Sequence, residues 1–200
     1  KHAQNLRNFV NQWLAQTWET IKHKTTWEQL GEKLISNEKR FIVPLWASML
    51  TMGVDRQGEG GDRFPWAVVA WGPDRRCQVI AYGECESLGE IDTQLLGRTY
   101  EHADGGNPLR MGFGLVDSGF KPEGVYEFCA KCVQKGYQIC PSKGSNTALE
   151  SDYKQAELGK TTSMPGMILF HVDTVRSQSW MDKVLHVLQP PQGEKPGDAG

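Results

Sequence analysis

The sequence has no long apolar run. Nothing in it approaches the roughly 20 consecutive apolar residues of a membrane-spanning helix, which excludes a helical membrane protein. It has little net charge, −2 at neutral pH, so bulk charge does not announce a nucleic-acid binder; a local groove can still be basic on a near-neutral protein. Cysteines are few and odd in number, five. No leader peptide is visible, so reduced thiols in an intracellular protein are expected rather than a disulfide framework. The pair Cys129 and Cys132 has no second pair at zinc-like spacing and falls on an apolar helical face, where it reads as core. A phosphate-cradling G-x-x-x-x-G-K-[ST] loop is absent, which removes the nucleotide hydrolases of that type. The chain opens at Lys1 directly in helical pattern and reads as a piece of something longer.

What is present suits one domain with an appendage. Two hundred residues at 38% hydrophobic content can fill a single core. Residues 5–21 carry Leu6, Phe9, Val10, Trp13, Leu14 and Ile21 at helical spacing. Thr25 with Glu28 offers a capping box to a second helix bearing Trp27, Leu30 and Leu34. Residues 1–40 are therefore expected to form a helical arm and 41–188 the main domain. Residues 189–200, rich in Pro and Gly, are expected to be a disordered tail.

From Phe41 the period changes. Strands are predicted over 45–55, 64–71 and 77–85, joined by turns short enough to require an antiparallel meander. A helix is predicted over 92–101 and a strand over 111–116. A helix over 122–135 starts at Pro122, with Val125, Phe128, Cys129 and Cys132 inward. A short strand follows over 137–140, parallel to the previous one because a helix links them, and 141–144 turns away from it. Residues 145–165 read as a long loop or an exposed hairpin, and 167–172 as a strand. Asp173 or Thr174 caps a last helix that carries Val184, Leu185 and Leu188. The fold class is α/β. A mixed sheet of three antiparallel strands followed by parallel ones, flanked by helices, is the topology of the ribonuclease H-like fold.

Two strands in this scheme end alike. Residues 45–54 run into Asp55, and residues 111–116 run into Asp117. Open α/β sheets place their ligands at the carboxyl ends of strands. A lone aspartate there is more often a turn or helix cap. The topology, however, makes the first and fourth strands parallel neighbours, which sets the two carboxylates side by side. Their repulsion is relieved by a proton or a metal. Oxygen ligands suit Mg²⁺ or Mn²⁺, and two such ions activate a water and stabilise the leaving oxygen of a phosphodiester. Lys143, after the fifth strand, lies on the same edge and can stabilise charge on a phosphate. Arg56, Arg63, Lys121, Lys143 and Lys160 are candidate DNA contacts from their place near that edge. Asp173 reads first as a helix N-cap.

Several segments resemble one family in order and spacing. Residues 5–19 (NLRNFVNQWLAQTWE) are similar to the segment leading into the nuclease domain of lambda-type phage terminase large subunits. Residues 50–57 (LTMGVDRQ) resemble its first catalytic strand and 69–72 (VAWG) its second. Residues 115–119 (LVDSG) resemble its second acidic motif, 125–129 (VYEFC) its intervening helix and 142–144 (SKG) its lysine-glycine motif. The resemblance implies a metal-dependent DNA endonuclease that cuts concatemeric double-stranded DNA during packaging. It implies a terminase small subunit and a portal as partners, and the cytoplasm of the bacterial host as location. Asp55 and Asp117 match the metal ligands, and Lys143 matches a lysine of the family. The family's third acid, in a motif resembling Asn-Glu-Ala-Leu-Asp, has no counterpart here. Either the helix bearing it lies outside this chain, or another acid such as Asp173 substitutes. Two other readings stand beside this one. One is a ribonuclease H-like resolvase or transposase. The other is a non-catalytic docking module of a packaging complex in which the acids are caps.

Overall fold

Alternation decides the first strands. Phe64, Trp66, Val68 and Ala70 are buried while the residues between them are half-exposed, the period of a sheet with one face packed on a core. This is a computed structural model. It describes residues 39–187 apart from 59, 60, 146, 161 and 163. The expected tail, and all but the end of the expected helical arm, lie outside the described residues. Almost all of the described residues belong to one compact unit, Ser36–Lys183.

The order of elements is β1 (Met49–Val54), β2 (Phe64–Trp71), β3 (Cys77–Cys85), α1 (Leu88–Ile91), β4 (Phe113–Asp117), α2 (Pro122–Gln134), β5 (Ile139–Ser145), β6 (Tyr153–Glu157), β7 (Ile168–Asp173) and α3 (Thr174–Val187). They build one seven-stranded sheet in the order β3-β2-β1-β4-β5-β7-β6. The pairs β1–β2 and β2–β3 are antiparallel, whereas β1–β4, β4–β5 and β5–β7 are parallel. This mixed sheet, with a helix joining β4 to β5, has the ribonuclease H-like arrangement expected from the sequence.

One face of the sheet carries the core. Leu50, Met52 and Val54 of β1 and Val116 of β4 meet Val125, Phe128, Cys129 and Cys132 of α2 in a single buried cluster. Each such side chain contributes about 1.5–3 kcal/mol by leaving water. Burial raises the Cys129 thiol far above its ordinary value and the Cys132 thiol to about 12. Both are protonated core residues, as their helical spacing implies. Gly136, with φ +87°, ends α2 in the left-handed region that favours glycine.

Gly114 sets how closely the central strands approach. A Cβ there would lie 2.7 Å from Met52 Cγ and 2.8 Å from Ile139 Cδ1. Gly114→Ala is therefore expected to lower stability by about 1–3 kcal/mol, read as a lower urea midpoint at unchanged slope.

Several boundaries differ from the sequence reading; β1, for one, is shorter and spans Met49–Val54. The helix predicted over 92–101 starts earlier, because Ser87 caps α1 by accepting from Glu90 N at 3.2 Å, and Glu90 accepts from Glu86 N at 3.2 Å. It continues as a π-helical turn, Asp92–Leu96, and stops there. Residues 141–145 are strand and not turn: β7 continues the ladder beyond β4, pairing with β5 as far as Ser145. The segment after β5, read as a long loop or an exposed hairpin, contains β6, which forms an antiparallel hairpin with β7, the second of those readings.

Candidate active site

The parallel register of β1 and β4 pairs Gly53 with Leu115 and Val54 with Val116. The next residue on each strand is an aspartate, so Asp55 and Asp117 leave the sheet side by side at its carboxyl edge. Asp55 is exposed and Asp117 half-buried. The Asp55 carboxylate accepts from the Arg56 N–H at 2.9 Å and from Gln57 Nε2 at 3.3 Å. Asp117 Oδ2 accepts from the Gly119 N–H at 3.3 Å. Burial, and then the neighbouring Asp55 charge, raise the Asp117 carboxyl above its ordinary value, while Lys143 pulls it down. The structure thus brings Asp55, Asp117 and Lys143 into one electrostatic neighbourhood. Lys143 is exposed on β5, one residue beyond the pairing of Asp117 with Ser142.

The loop after β4 is pinned to β5 by Ser118, whose N–H and hydroxyl both donate to the Ser142 carbonyl, at 2.7 and 2.8 Å. Ser118 is buried. No signal along the chain marks its bond to a residue on another strand.

Arg56 corrects an expectation. Read from the sequence as a DNA contact, its side chain is only 8% exposed and turns inward, and its buried Nε has no hydrogen-bond partner. It donates to the Lys121 carbonyl at 2.8 Å and to Asp62 Oδ2 at 2.8 Å. It also stacks near Phe64 at 5.6 Å and Phe120 at 5.9 Å. It therefore clamps the loop after Asp55 to the loop after Asp117. Lys121 itself is exposed, adopts φ +44°, and holds its ammonium 4.9 Å from the Phe120 ring. Of the other basic residues, Arg63 faces Glu84 at 3.8 Å. Lys160 lies in the β6–β7 turn, at the opposite edge of the sheet from the two aspartates.

Asp173 is fully buried at the end of β7. Its Oδ1 accepts from Arg176 N at 2.9 Å and its Oδ2 from Leu149 N at 2.8 Å, with Arg176 Nε 3.5 Å away. This is the N-cap of α3, the first of the roles its sequence position offered. Both oxygens are engaged, which argues against the alternative role as third metal ligand. These backbone donors hold the carboxyl below its ordinary value. Its stabilising contribution is thus complete above the unfolded-state value, about 3.9, and is lost as pH falls through the lower folded value. Asp173→Asn is expected to lower the urea midpoint at neutral pH. The difference from wild type should shrink in acid below about pH 4.

Asp55 and Asp117 offer oxygen donors only, the set that hard divalent cations prefer. Among the described residues no group of three His, Cys, Asp or Glu side chains is placed to hold a metal. The pair fits an ion that keeps water or substrate oxygens in its other positions, which is the habit of Mg²⁺. Among the described residues no helix is long and apolar enough to cross a membrane.

The comparison with protein families agrees with this geometry. Residues 1–194 match the family described as terminase large subunit gpA, endonuclease domain. Searches of curated proteins and of solved structures gave no match. With the match covering nearly the whole chain, this protein belongs to the terminase large subunit gpA endonuclease domain family, a family of phage DNA-packaging nucleases.

Proposed function

We propose that this domain is a divalent-metal-dependent endodeoxyribonuclease that cuts concatemeric double-stranded DNA for packaging in the bacterial cytoplasm, alongside a terminase small subunit and a portal. The observation that carries the reading is the pair Asp55 and Asp117, adjacent at the carboxyl edge of two parallel strands. In this reading both carboxylates hold Mg²⁺ or Mn²⁺. A pair of such ions, when bound, would supply Lewis-acid stabilisation of the phosphodiester and a lowered pKa for the attacking water.

The chain's own residues have the remaining work. Asp117 has to shed its proton to serve as a ligand, so its raised value makes activity fall as pH is lowered toward it. Lys143 places a positive charge beside the carboxylates, where it opposes the negative charge of a phosphate. Arg56 ties the two acid-bearing loops together, and Ser118 ties the loop after Asp117 to β5. The family membership favours packaging over a resolvase or transposase role. The docking-module reading keeps one observation in its favour, the lack of a third acid among the described residues.

The test is plasmid nicking in Mn²⁺ beside Asp55→Asn and EDTA controls. With no third acid among the described residues to complete the site, weak cleavage that disappears in both controls is the expected result. Cleavage that survives Asp55→Asn would overturn the assignment of the site. No divalent-ion binding by calorimetry would favour the docking module.

A further inference from the structure

The strands β5, β7 and β6 are successive neighbours in the sheet. Lys143 of β5 pairs with His171 of β7, and Lys154 of β6 pairs with the same His171. Paired residues share a face, so three basic side chains stand in a line across three strands. At the usual strand spacing the line is about 10 Å long. Lys143 and Lys154 are exposed and His171 is half-buried.

The Asp117 charge acts on the Lys143 end of this line. Among the described residues none of the three makes an ion pair. The nearest carboxylates along these strands, Asp152 before β6 and Asp173 at the end of β7, both face Arg176, at 3.7 and 3.5 Å. Lys143 and Lys154 carry like charges on either side of His171, and an anion lying along the line is attracted to both. One end of the line is Lys143, within electrostatic reach of Asp117. The other is on the edge strand β6. A line about 10 Å long matches the axial span of about three phosphates on one DNA strand.

We propose that Lys143, His171 and Lys154 form a phosphate-backbone track for double-stranded DNA, leading from the acid pair to the edge of the sheet. The identity of the ligand as DNA rests on the nuclease reading above. The track is sequence-independent, because contacts to phosphate position the duplex without reading its bases.

The test is anisotropy of a short fluorescent duplex in EDTA, which separates binding from cleavage. Three chains are compared, wild type, Lys154→Ala and Lys154→Arg, with Lys160→Ala as control at the far end of the same hairpin. Circular dichroism checks that each is folded. Lys154→Ala is expected to weaken binding severalfold and to make the plot of log affinity against log salt shallower by about 0.9. Lys154→Arg should restore both, and Lys160→Ala should change neither. Equal affinity and slope for Lys154→Ala and wild type would overturn the track, as would an equal loss in Lys160→Ala or no duplex binding by wild type at low salt. Nicking assays in Mn²⁺ separate the two proposals. A wild type that cleaves, with Lys154→Ala binding normally, loses the track and keeps the nuclease. A wild type that never cleaves, with Lys154→Ala binding weakly, loses the nuclease and keeps the track.

Discussion

Asp117→Asn is expected to abolish Mn²⁺-dependent nicking while leaving the fold as stable as before, or more so. The loss should exceed about 100-fold, the upper end of what removal of a mere outer-shell partner of a metal costs. The stability result follows from the sign of the Asp117 shift. Burial and the Asp55 charge raise its carboxyl above the ordinary value, so at neutral pH the ionised side chain is less comfortable in the folded chain than in the unfolded one. An amide of the same shape removes that penalty and can still accept from the Gly119 N–H, now 3.3 Å away. The advantage of the Asn variant should shrink as pH falls through the raised value and wild type takes up its own proton. Urea unfolding in EDTA at neutral and acid pH measures this. A variant that is both inactive and clearly less stable at neutral pH would mean that Asp117 is structural, and the site assignment would fail with it.

Arg56→Ala should have the opposite profile, with stability lost first and activity as a consequence. The Arg56 side chain is 8% exposed. Removing it leaves the Lys121 carbonyl without its donor and empties the space beside Phe64 and Phe120. Hydrogen bonds to a charged group contribute about 1.5–3 kcal/mol and less at an exposed partner, and the packing against Phe64 and Phe120 adds to it, so a loss of about 1–3 kcal/mol is expected. Arg56→Lys should recover little, because an ammonium cannot reproduce the planar fork that reaches Lys121 and Asp62 together. If Arg56 instead touched DNA, Arg56→Ala would keep its stability and lose duplex affinity with a shallower salt dependence. Thermal melts and anisotropy on one sample decide between the two.

Much of the fold is legible along the chain because its causes are local. The alternation of Trp66, Val68 and Ala70, the turn at Gly72-Pro73 and the helical spacing of Val125, Phe128, Cys129 and Cys132 each specify an element within a few residues. The Ser87-to-Glu90 cap is equally local, and it starts the helix four residues before the span that apolar spacing alone gives. The aspartates at the ends of β1 and β4 were visible for the same reason: an apolar run that stops at an acid is a pattern in one dimension. Their adjacency needed only the topology rule that a short-turned meander followed by a helix crossover imposes.

What the tertiary structure alone decided is how long polar side chains are used. Arg56 and Lys121 are 65 residues apart in sequence, and nothing near Arg56 announces that its guanidinium turns inward. Lys143 looked like a turn residue because Pro141 and Gly144 surround it, and only the partner strand β7 holds it in the sheet. Asp173 showed two possible roles, and the Leu149 and Arg176 donors settled it as a cap. The sequence by itself determined the elements and the acids, since backbone conformation and apolar periodicity act over a few residues. The register between strands, and with it the line of Lys143, His171 and Lys154, depends on which backbone groups find each other across the sheet. That is a through-space outcome, and no spacing along the chain encodes it.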